Sequence, residues 1–358
     1  MSADCALNGT SGNLANCRRK TVLYLRLNPD YRGDVRAHFV SSATDSNSGH
    51  AAQIATNLKL LFEVEQLSEL DLGYDQQRRI LWQFMAPKDR PSFTPGLLRD
   101  MTAALDTVEK AFALPAPAGE HPIDFLVLAS RMPGIFNLGG DLPHFMTLIE
   151  RKSEKQLRSY AHICARGQYR RATNLELPIC TIALIQGDAL GGGFEAALAH
   201  DVIIAERGAS FGLPEVLFNM FPGMGAFSFL ARRLDPIHAE RIILSGKVYS
   251  AAELHEIGVV DRLAKDGAGI DAVQEFVSEY QRARHTRQAM LKARKIITPV
   301  SLRELMDIAD LWVETAMKLG PADLRKMNHL AKAQDRRWAK LQGNGGYSPG
   351  MPALAPGE

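Results

Sequence analysis

The chain has 358 residues, and its 42 Lys and Arg residues nearly balance its 40 Asp and Glu residues, which leaves a formal net charge of +2. Hydrophobic residues make up 46% of the chain and charged residues 23%, as in a globular protein of roughly two domains. The near-neutral charge argues against a nucleic-acid binder, because neutralising phosphates requires a large basic excess.

The four cysteines (Cys5, Cys17, Cys164 and Cys180) show no metal-ligand spacing and are too few for a disulfide scaffold. The ten histidines form no H-E-x-x-H motif or comparable cluster. No apolar stretch reaches the roughly 18 residues that span a bilayer, and the start of the chain lacks the apolar segment of a signal peptide. These patterns predict a cytoplasmic protein with reduced thiols and with no metal, other cofactor, nucleic acid or membrane as partner.

The N-terminal part, residues 1–57, is predicted to be a poorly ordered extension. Its stretch 41–49 consists of small and polar residues that bury too little apolar area to offset the entropy of ordering. Within it, only the short apolar run 22–25 has strand character. Further strands are predicted at 58–64 and 80–85.

Helical and apolar segments alternate after this point. Thr94 and Pro95 precede an amphipathic pattern that predicts a capped helix ending near Phe112. Short apolar runs then predict buried strands, at 125–128, 178–186 and 202–205. Strands separated by helices imply crossover connections and a parallel or mixed sheet.

From about Asp235 the pattern is nearly all helical, with successive helices predicted at 270–284, 286–297, 301–319 and 321–341. The chain is therefore predicted to be α/β, with no internal repeat. Its predicted parts after the extension are a β/α core at 58–265, a C-terminal helical region at 266–341 and a flexible tail at 342–358.

Two glycine-rich turns each follow a predicted strand. The first spans Gly134 to Leu142 and the second spans Gly187 to Glu195, and each is predicted to open a helix. Glycine lets a backbone approach a ligand closely, and amides at a helix N-terminus lack partners. Two such turns could direct two N–H groups at one oxygen, as in an oxyanion hole. A single turn of this kind would more often be a plain helix–strand connection.

Two carboxylates accompany these turns. Glu195 lies early in the second predicted helix, and Glu215 follows 20 residues later. Taken alone, Glu195 would more often favour the helix dipole, and Glu215 would more often be a solvated loop residue. Together with the glycine turns they are candidates for an acid–base pair whose pKa values are separated by proximity and burial.

A competing pattern overlaps the second turn. Gly191 to Ala196 fits the loose dinucleotide motif G-x-G-x-x-[G/A], and Glu206 ends the next predicted strand. Against this reading, the first glycine lies several residues beyond the strand, the helix is short, and the Glu195 carboxylate would repel a pyrophosphate. The chain has no G-x-S-x-G elbow and no P-loop motif.

Four segments resemble, in order, motifs of the crotonase (enoyl-CoA hydratase/isomerase) superfamily. Phe136 to Asp141 resembles F-x-A-G-x-D, and Gly187 to Glu195 resembles G-x-x-x-G-G-G-x-E. Leu213-Pro214-Glu215 resembles the element that carries the second glutamate, and Phe221 to Gly225 resembles the P-G-x-G stretch after it. The likeness extends over about residues 58–340, which is most of the chain.

The resemblance implies a crotonase-like ββα spiral core with a C-terminal helical region. It implies Glu195 and Glu215 as catalytic residues and the backbone N–H groups of Gly140 and Gly192 as oxyanion donors. It implies a CoA or acyl carrier protein thioester as substrate, no cofactor, and a homo-oligomer, either a trimer or a hexamer.

One branch fits more closely. Leu138 replaces the usual Ala of the first motif, and Arg90 to Thr94 is similar to diffusible signal factor synthases, which make cis-2-unsaturated fatty acid signals. This implies dehydration of a 3-hydroxyacyl carrier-protein thioester and then thioester hydrolysis. One of Glu195 and Glu215 would take the α-proton and the other would protonate the departing hydroxyl, and the sequence does not decide which of them does which. It also implies a sensor protein of the signalling system as a partner.

Two other functions stay open. One is a plain enoyl-CoA hydratase/isomerase of fatty acid metabolism without thioesterase activity. The other is a crotonase scaffold that binds a signalling protein without turnover, which the intact carboxylates at Glu195 and Glu215 disfavour.

An acyl chain requires an apolar pocket, and candidate substrate-binding residues flank the first turn and the second glutamate. They are Leu138, Asp141, Leu142, Phe145, Met146, Leu148, Ile149, Met220 and Phe221. Two departures from the family pattern are Ala226, expected to alter packing near Glu215, and Asp188, expected to cap its turn. The acid-free basic run 282–295 is either a solvated helix face or a contact for carrier protein or phosphate.

Overall fold

In a computed structural model of the protein, the described residues are 23–25, 67–114 and 121–343. The strands are β1 (Leu23–Leu25), β2 (Leu70–Asp75), β3 (Ile80–Met85), β4 (Phe125–Ser130), β5 (Ile135–Asn137), β6 (Cys180–Ile185), β7 (Asp188–Leu190), β8 (Val202–Glu206), β9 (Ser210–Gly212), β10 (Val248–Ser250) and β11 (Arg262–Ala264). The helices are α1 (Pro95–Phe112), α2 (Leu142–Glu150), α3 (Glu154–Ala172), α4 (Gly192–Leu198), α5 (Ala226–Arg233), α6 (Pro236–Ser245), α7 (Ala251–Glu256), α8 (Gly269–Arg282), α9 (Arg284–Ile297), α10 (Leu302–Ala316) and α11 (Pro321–Gly343).

The main sheet has the strand order β1-β2-β3-β4-β6-β8-β11. Its first three strands pair antiparallel, and every pairing from β3 to β11 is parallel. All residues of β3, β4, β6 and β8 are buried, since the sheet is covered on both faces and continuous apolar runs suit such strands. The mixed sheet and the strands predicted at 80–85, 125–128, 178–186 and 202–205 are confirmed.

A second, smaller sheet has the order β10-β9-β7-β5. Its strands β5 and β7 lie inside the two glycine-rich turns and pair parallel with one another. Each strand of this sheet has only three residues, which is too short for a periodic pattern to reveal. The pairing of β5 with β7 brings the two turns side by side.

The helix predicted after Thr94 is confirmed as α1. The Thr94 side chain accepts a hydrogen bond from the Leu97 amide at 3.0 Å, and Pro95 occupies the first helical position, where its missing N–H is not needed. The four C-terminal helices are confirmed as α8 to α11. The region after Asp235 is less helical than predicted, because β10 and β11 interrupt it.

Some predictions concern residues beyond those described. The strand predicted at 58–64 lies outside the described residues, as do the extension 1–57 apart from β1 and the tail apart from the end of α11. Strand β2 was not predicted, although its apolar residues Leu70, Leu72 and Tyr74 alternate as in a strand. In the described ranges, no helix combines the length and the apolar character that crossing a membrane requires.

Candidate active site

The first glycine turn is fixed by its own backbone and by Asn137. The buried Asn137 Oδ1 accepts a hydrogen bond from the Gly139 amide at 2.8 Å. The Gly139 carbonyl accepts a hydrogen bond from the Phe93 amide at 2.7 Å. Gly139 has a φ of 93°, and a Cβ there would lie 2.9 Å from the Gly192 nitrogen. Glycine is therefore required by both conformation and space.

The second turn packs directly on the first. A Cβ at Gly193 would lie 2.1 Å from the Asn137 carbonyl oxygen, and Gly191 has a φ of 51°. Helix α4 begins at Gly192 and contains Glu195 in its first turn. The glycines of the two turns thus allow the two backbone segments to pack directly against each other.

The Gly140 and Gly192 amides lie at one cavity. Both residues line it, and neither amide donates a hydrogen bond to any other described residue. A trans peptide directs its N–H opposite to its C=O. Since Phe93 holds the Gly139 carbonyl, the Gly140 N–H points away from Phe93. Two amide donors are thus left for an acceptor that the described protein atoms do not supply.

Glu195 is almost completely buried, with 1% of its surface exposed. Its Oε1 accepts hydrogen bonds from the backbone amides of Met224, at 2.7 Å, and Ala226, at 3.0 Å. Burial raises the pKa of Glu195 to about 7, and these hydrogen bonds oppose the rise because they favour the carboxylate. Ala226 therefore contacts Glu195 through its backbone amide. The sequence had led us to expect an effect of Ala226 on packing near Glu215, and this hydrogen bond is a different contact.

Glu215 lies in a short 3-10 helix, Pro214–Phe218, that follows β9. Its Oε2 is buried without a hydrogen-bond partner among the described residues. The Glu215 carboxyl group packs against the second glycine turn. A Cβ added at Gly191 would lie only 2.7 Å from Glu215 Oε1. Burial and the neighbouring charge of Glu195 raise the pKa of Glu215 to about 8.

A cavity of about 660 Å³ joins these groups. It is lined by both glutamates and by both glycines of the predicted oxyanion pair. Five of the predicted substrate-binding residues also line it, namely Leu138, Leu142, Phe145, Ile149 and Met220. The structure thus brings the two carboxyl groups and the two amides to a single apolar cavity.

Four predicted substrate-binding residues lie elsewhere. Asp141 caps α2, where its Oδ1 accepts from the His144 amide at 3.3 Å and from Arg90 Nη1 at 3.2 Å. The other three pack in or against the core, namely Met146, Leu148 and Phe221. Leu142, Phe145 and Ile149 recur at helical spacing on the cavity side of α2, whereas Met146 and Leu148 do not line the cavity.

Part of the cavity wall comes from helices that are distant in the sequence, and this part was not predicted. The cavity is also lined by Tyr160 and Ala161 of α3, Trp312 and Ala316 of α10, and Met327, Leu330 and Gln334 of α11. The available signal was the amphipathic pattern of these helices, which indicates a buried face without indicating what it covers.

A second apolar cavity, of about 380 Å³, lies between α1 and α3. Met224 lines both cavities, and Phe93 lines the second. A Cβ at Gly192 would lie 2.9 Å from Met224 Sδ and 3.4 Å from Phe93 Cδ2. The side chains of Met224 and Phe93 therefore lie between the second cavity and Gly192.

The other sequence candidates take structural positions. Asp188 is buried and forms an ion pair with Arg337 of α11, a contact not foreseen for this residue. Glu206, the acid of the dinucleotide pattern, accepts a hydrogen bond from the Gly269 amide at 3.0 Å. The described ranges contain no group of three or more His, Cys, Asp or Glu side chains that could hold a metal ion.

The basic run 282–295 is anchored away from the cavity. Arg284 pairs with Asp124 at 2.8 Å, and Lys295 pairs with Asp201 at 3.5 Å. Asp124 and Asp201 directly precede β4 and β8, so these contacts lie at the amino ends of parallel strands. The glycine turns follow the carboxyl ends of β4 and β6, at the opposite edge of the sheet, which disfavours a role of this run at the cavity mouth.

Comparison with known proteins agrees with this geometry. The family model described as "Enoyl-CoA hydratase/isomerase" matches residues 78–314, about two thirds of the chain, and the chain belongs to this family, within the crotonase superfamily.

Solved structures share its fold. Enoyl-CoA hydratase from Bacillus halodurans is 22% identical, with a TM-score of 0.60, and the match covers 73% of this chain and 100% of that one. An enoyl-CoA hydratase/isomerase from Xanthobacter autotrophicus Py2 is 19% identical, with a TM-score of 0.60 and coverage of 80% and 100%. Human mitochondrial delta3-delta2-enoyl-CoA isomerase is 17% identical, with a TM-score of 0.56 and coverage of 78% and 100%. The crotonase-like fold with a C-terminal helical region is thereby confirmed, and the family assigns a hydratase/isomerase type of activity.

Proposed function

We propose that the protein dehydrates a 3-hydroxyacyl thioester on acyl carrier protein and then hydrolyses the thioester to release a cis-2-unsaturated fatty acid signal. The observation that carries this proposal is that Glu195 and Glu215, two carboxyl groups with raised pKa values, line one apolar cavity beside two amides without acceptors.

In the first step, the thioester oxygen binds to the Gly140 and Gly192 amides. One of the two glutamates, as the carboxylate, removes a proton from the α-carbon, and the amides stabilise the resulting enolate. The enolate then expels the 3-hydroxyl group, which takes a proton from the other glutamate and leaves as water. The products are the 2-enoyl thioester and one water molecule.

In the second step, one of the two glutamates removes a proton from water, and the water oxygen attacks the same carbonyl carbon. The same two amides bind the oxygen of the tetrahedral intermediate, so no additional donors are needed. The carbon–sulfur bond then breaks, and the thiol of the carrier leaves with a proton. One water molecule is consumed, and a free 2-unsaturated acid is formed.

The cavity supports a fatty acyl substrate. Its lining is predominantly aliphatic and aromatic, as in many small-molecule sites. The identity of the carrier, the double-bond geometry and a sensor partner are parts of this proposal that rest on the likeness of Leu138 and the segment Arg90 to Thr94 to signal synthases. A homo-oligomer is also part of the proposal and rests on the resemblance to the crotonase superfamily.

The second candidate is an enoyl-CoA hydratase/isomerase without thioesterase activity. The family match favours it equally at this level, because the same two carboxyl groups and two amides serve the addition of water to a 2-enoyl-CoA. The two candidates differ in whether the thioester bond is broken.

The deciding experiment incubates the purified full chain with a panel of 3-hydroxyacyl carrier proteins and, separately, with 2-enoyl-CoA. We expect mass spectrometry to detect free unsaturated acids from the carrier-protein substrates. Formation of 3-hydroxyacyl-CoA from the enoyl-CoA, with no free acid from any substrate, would support the second candidate and refute the first.

Replacing either carboxyl group tests the assignment of the site. We expect Glu195→Gln and Glu215→Gln each to lower kcat by at least about 100-fold, because an amide keeps the shape but cannot transfer the proton. Glu206→Gln is the matched control, since Glu206 is a buried carboxyl group outside the cavity. Full turnover by both cavity variants would show that the catalytic groups lie elsewhere.

A further inference from the structure

The last helix, α11, covers the cavity and also contacts both glycine turns. Met327 and Leu330 supply part of the cavity wall, and Met327 is buried. One turn further along, the helix presents polar residues, Gln334 and Arg337, which lie three positions apart and therefore on the same side of the helix.

Gln334 contacts the first turn. Its Nε2 donates a hydrogen bond to the Leu138 carbonyl at 3.1 Å. The N–H of the same peptide group, that of Gly139, donates to Asn137 Oδ1 at 2.8 Å. Both polar ends of this peptide are therefore held, and the next peptide in the chain contains the Gly140 N–H.

Arg337 contacts the strand inside the second turn. It forms an ion pair with Asp188, the first residue of β7, whose exposed fraction is 5%. An isolated carboxylate at this depth is costly, because burial disfavours its charge, and the Arg337 guanidinium offsets that cost. Strand β7 ends at Leu190, two residues before Gly192.

From these contacts we infer that α11 fixes the distance between the two glycine turns. Gln334 and Arg337 are then positioning residues for the Gly140 and Gly192 amides. The inference rests on the proposed function, since it assigns these side chains to the same oxyanion site. A fixed spacing matters because amide donors stabilise the developing charge only within hydrogen-bond distance of the oxygen.

The test compares Gln334→Leu and Arg337→Gln with the control Arg336→Gln in the full chain. Arg336 is the exposed neighbour on the same helix and has no hydrogen-bond or ion-pair partner among the described residues. We expect Gln334→Leu to lower kcat by about tenfold or more, which is less than the typical loss of a whole oxyanion donor, with KM changed less than threefold. Arg337→Gln should lower kcat several-fold, and Arg336→Gln should match the wild type.

A second pair of variants separates positioning from loss of structure. Gln334→Lys retains a donor for the Leu138 carbonyl, whereas Gln334→Glu replaces it with an acceptor. We expect the lysine variant to keep more than a third of the wild-type kcat and the glutamate variant to fall as far as the leucine variant. This comparison decides the question even where Gln334→Leu fails to fold.

Three outcomes are distinguishable. A raised KM with unchanged kcat in both Gln334→Leu and Arg337→Gln would overturn the inference and leave α11 as a cover for the cavity. Unchanged kcat and KM would overturn it as well. An inactive wild type on every thioester would instead refute the proposed function.

Discussion

The two glutamates of the cavity are held differently, although burial raises the pKa of both. Glu195 accepts two backbone amide hydrogen bonds, whereas Glu215 leaves one buried oxygen without a partner in the described part of the chain. The charge of Glu195 also raises the pKa of Glu215. The pair therefore favours a state that carries a single proton near neutral pH, and such coupled values belong to the pair.

This ionisation predicts a narrow pH optimum. Raised pKa values mean that both groups are protonated below about pH 7, which removes the base, and that both are ionised above about pH 8, which removes the acid. We expect a bell-shaped profile of kcat for dehydration, measured by release of the enoyl product, with its maximum between these values. A rate that stays constant from about pH 5 to pH 10 would contradict a proton shared by these groups.

Among the elements, two three-residue strands, β5 and β7, and the glycines beside them set the positions of the Gly140 and Gly192 amides, the proposed oxyanion donors. The close approach of Gly193 to the Asn137 carbonyl leaves no room for a side chain. Asn137 in turn holds the Gly139 amide, next to the Gly140 donor. A shift of one glycine turn therefore also shifts the other, and both the Gly140 and the Gly192 N–H groups move.

Gly193→Ala should accordingly lower kcat by about 100-fold or more, because the added Cβ would lie 2.1 Å from the Asn137 carbonyl and would force the turns apart. The matched control is Gly167→Ala in α3, where an added Cβ meets nothing within 4 Å. That change should leave turnover near wild type and raise the free energy of unfolding by about 0.5 kcal/mol. Both quantities follow from steady-state rates and denaturant titrations, and equal activity of the two variants would contradict the argument.

The elements differ in how far the sequence alone predicts them. Buried strands such as β4 and β8 are evident because their residues are uniformly apolar, and the glycine turns are evident because each follows such a strand. The partners of Glu195 were not predictable in the same way, since Met224 and Ala226 contact it through backbone amides that no side-chain pattern reveals. The wall formed by α10 and α11 was not predicted either, because its contacts join residues far apart in the chain, such as Leu138 and Gln334.

Across the whole molecule, the proposed catalytic site and the ion pairs that anchor α9 lie at opposite edges of the main sheet. Helix α9 has no fully buried residue, and its Leu291 packs partly buried against the core. The helix is also held by ion pairs with carboxylates that precede β4 and β8. Asp124 is the most connected of these groups, since it binds both Arg79 and Arg284.

Asp124→Asn should therefore destabilise the fold while sparing the site. The neutral amide leaves two guanidinium groups without their buried counter-charge, and we expect a loss of about 2 kcal/mol in the free energy of unfolding. Asp71→Asn is the control, because Asp71 pairs with Arg131 but is 57% exposed, and such pairs contribute less than about 1 kcal/mol. Guanidinium denaturation measures the stability, and a large fall in thioester turnover by folded Asp124→Asn would contradict the separation of the two edges.

The backbone anchoring of Glu195 has a consequence for how this enzyme can diversify. Because Met224 reaches the carboxylate with its main-chain N–H group, a substitution at this position keeps that hydrogen bond as long as the new residue is not proline. The Met224 side chain lines both apolar cavities, so its replacement changes the space next to the site. Under the proposed function, substrate selectivity can therefore change at position 224 while the main chain continues to hold Glu195.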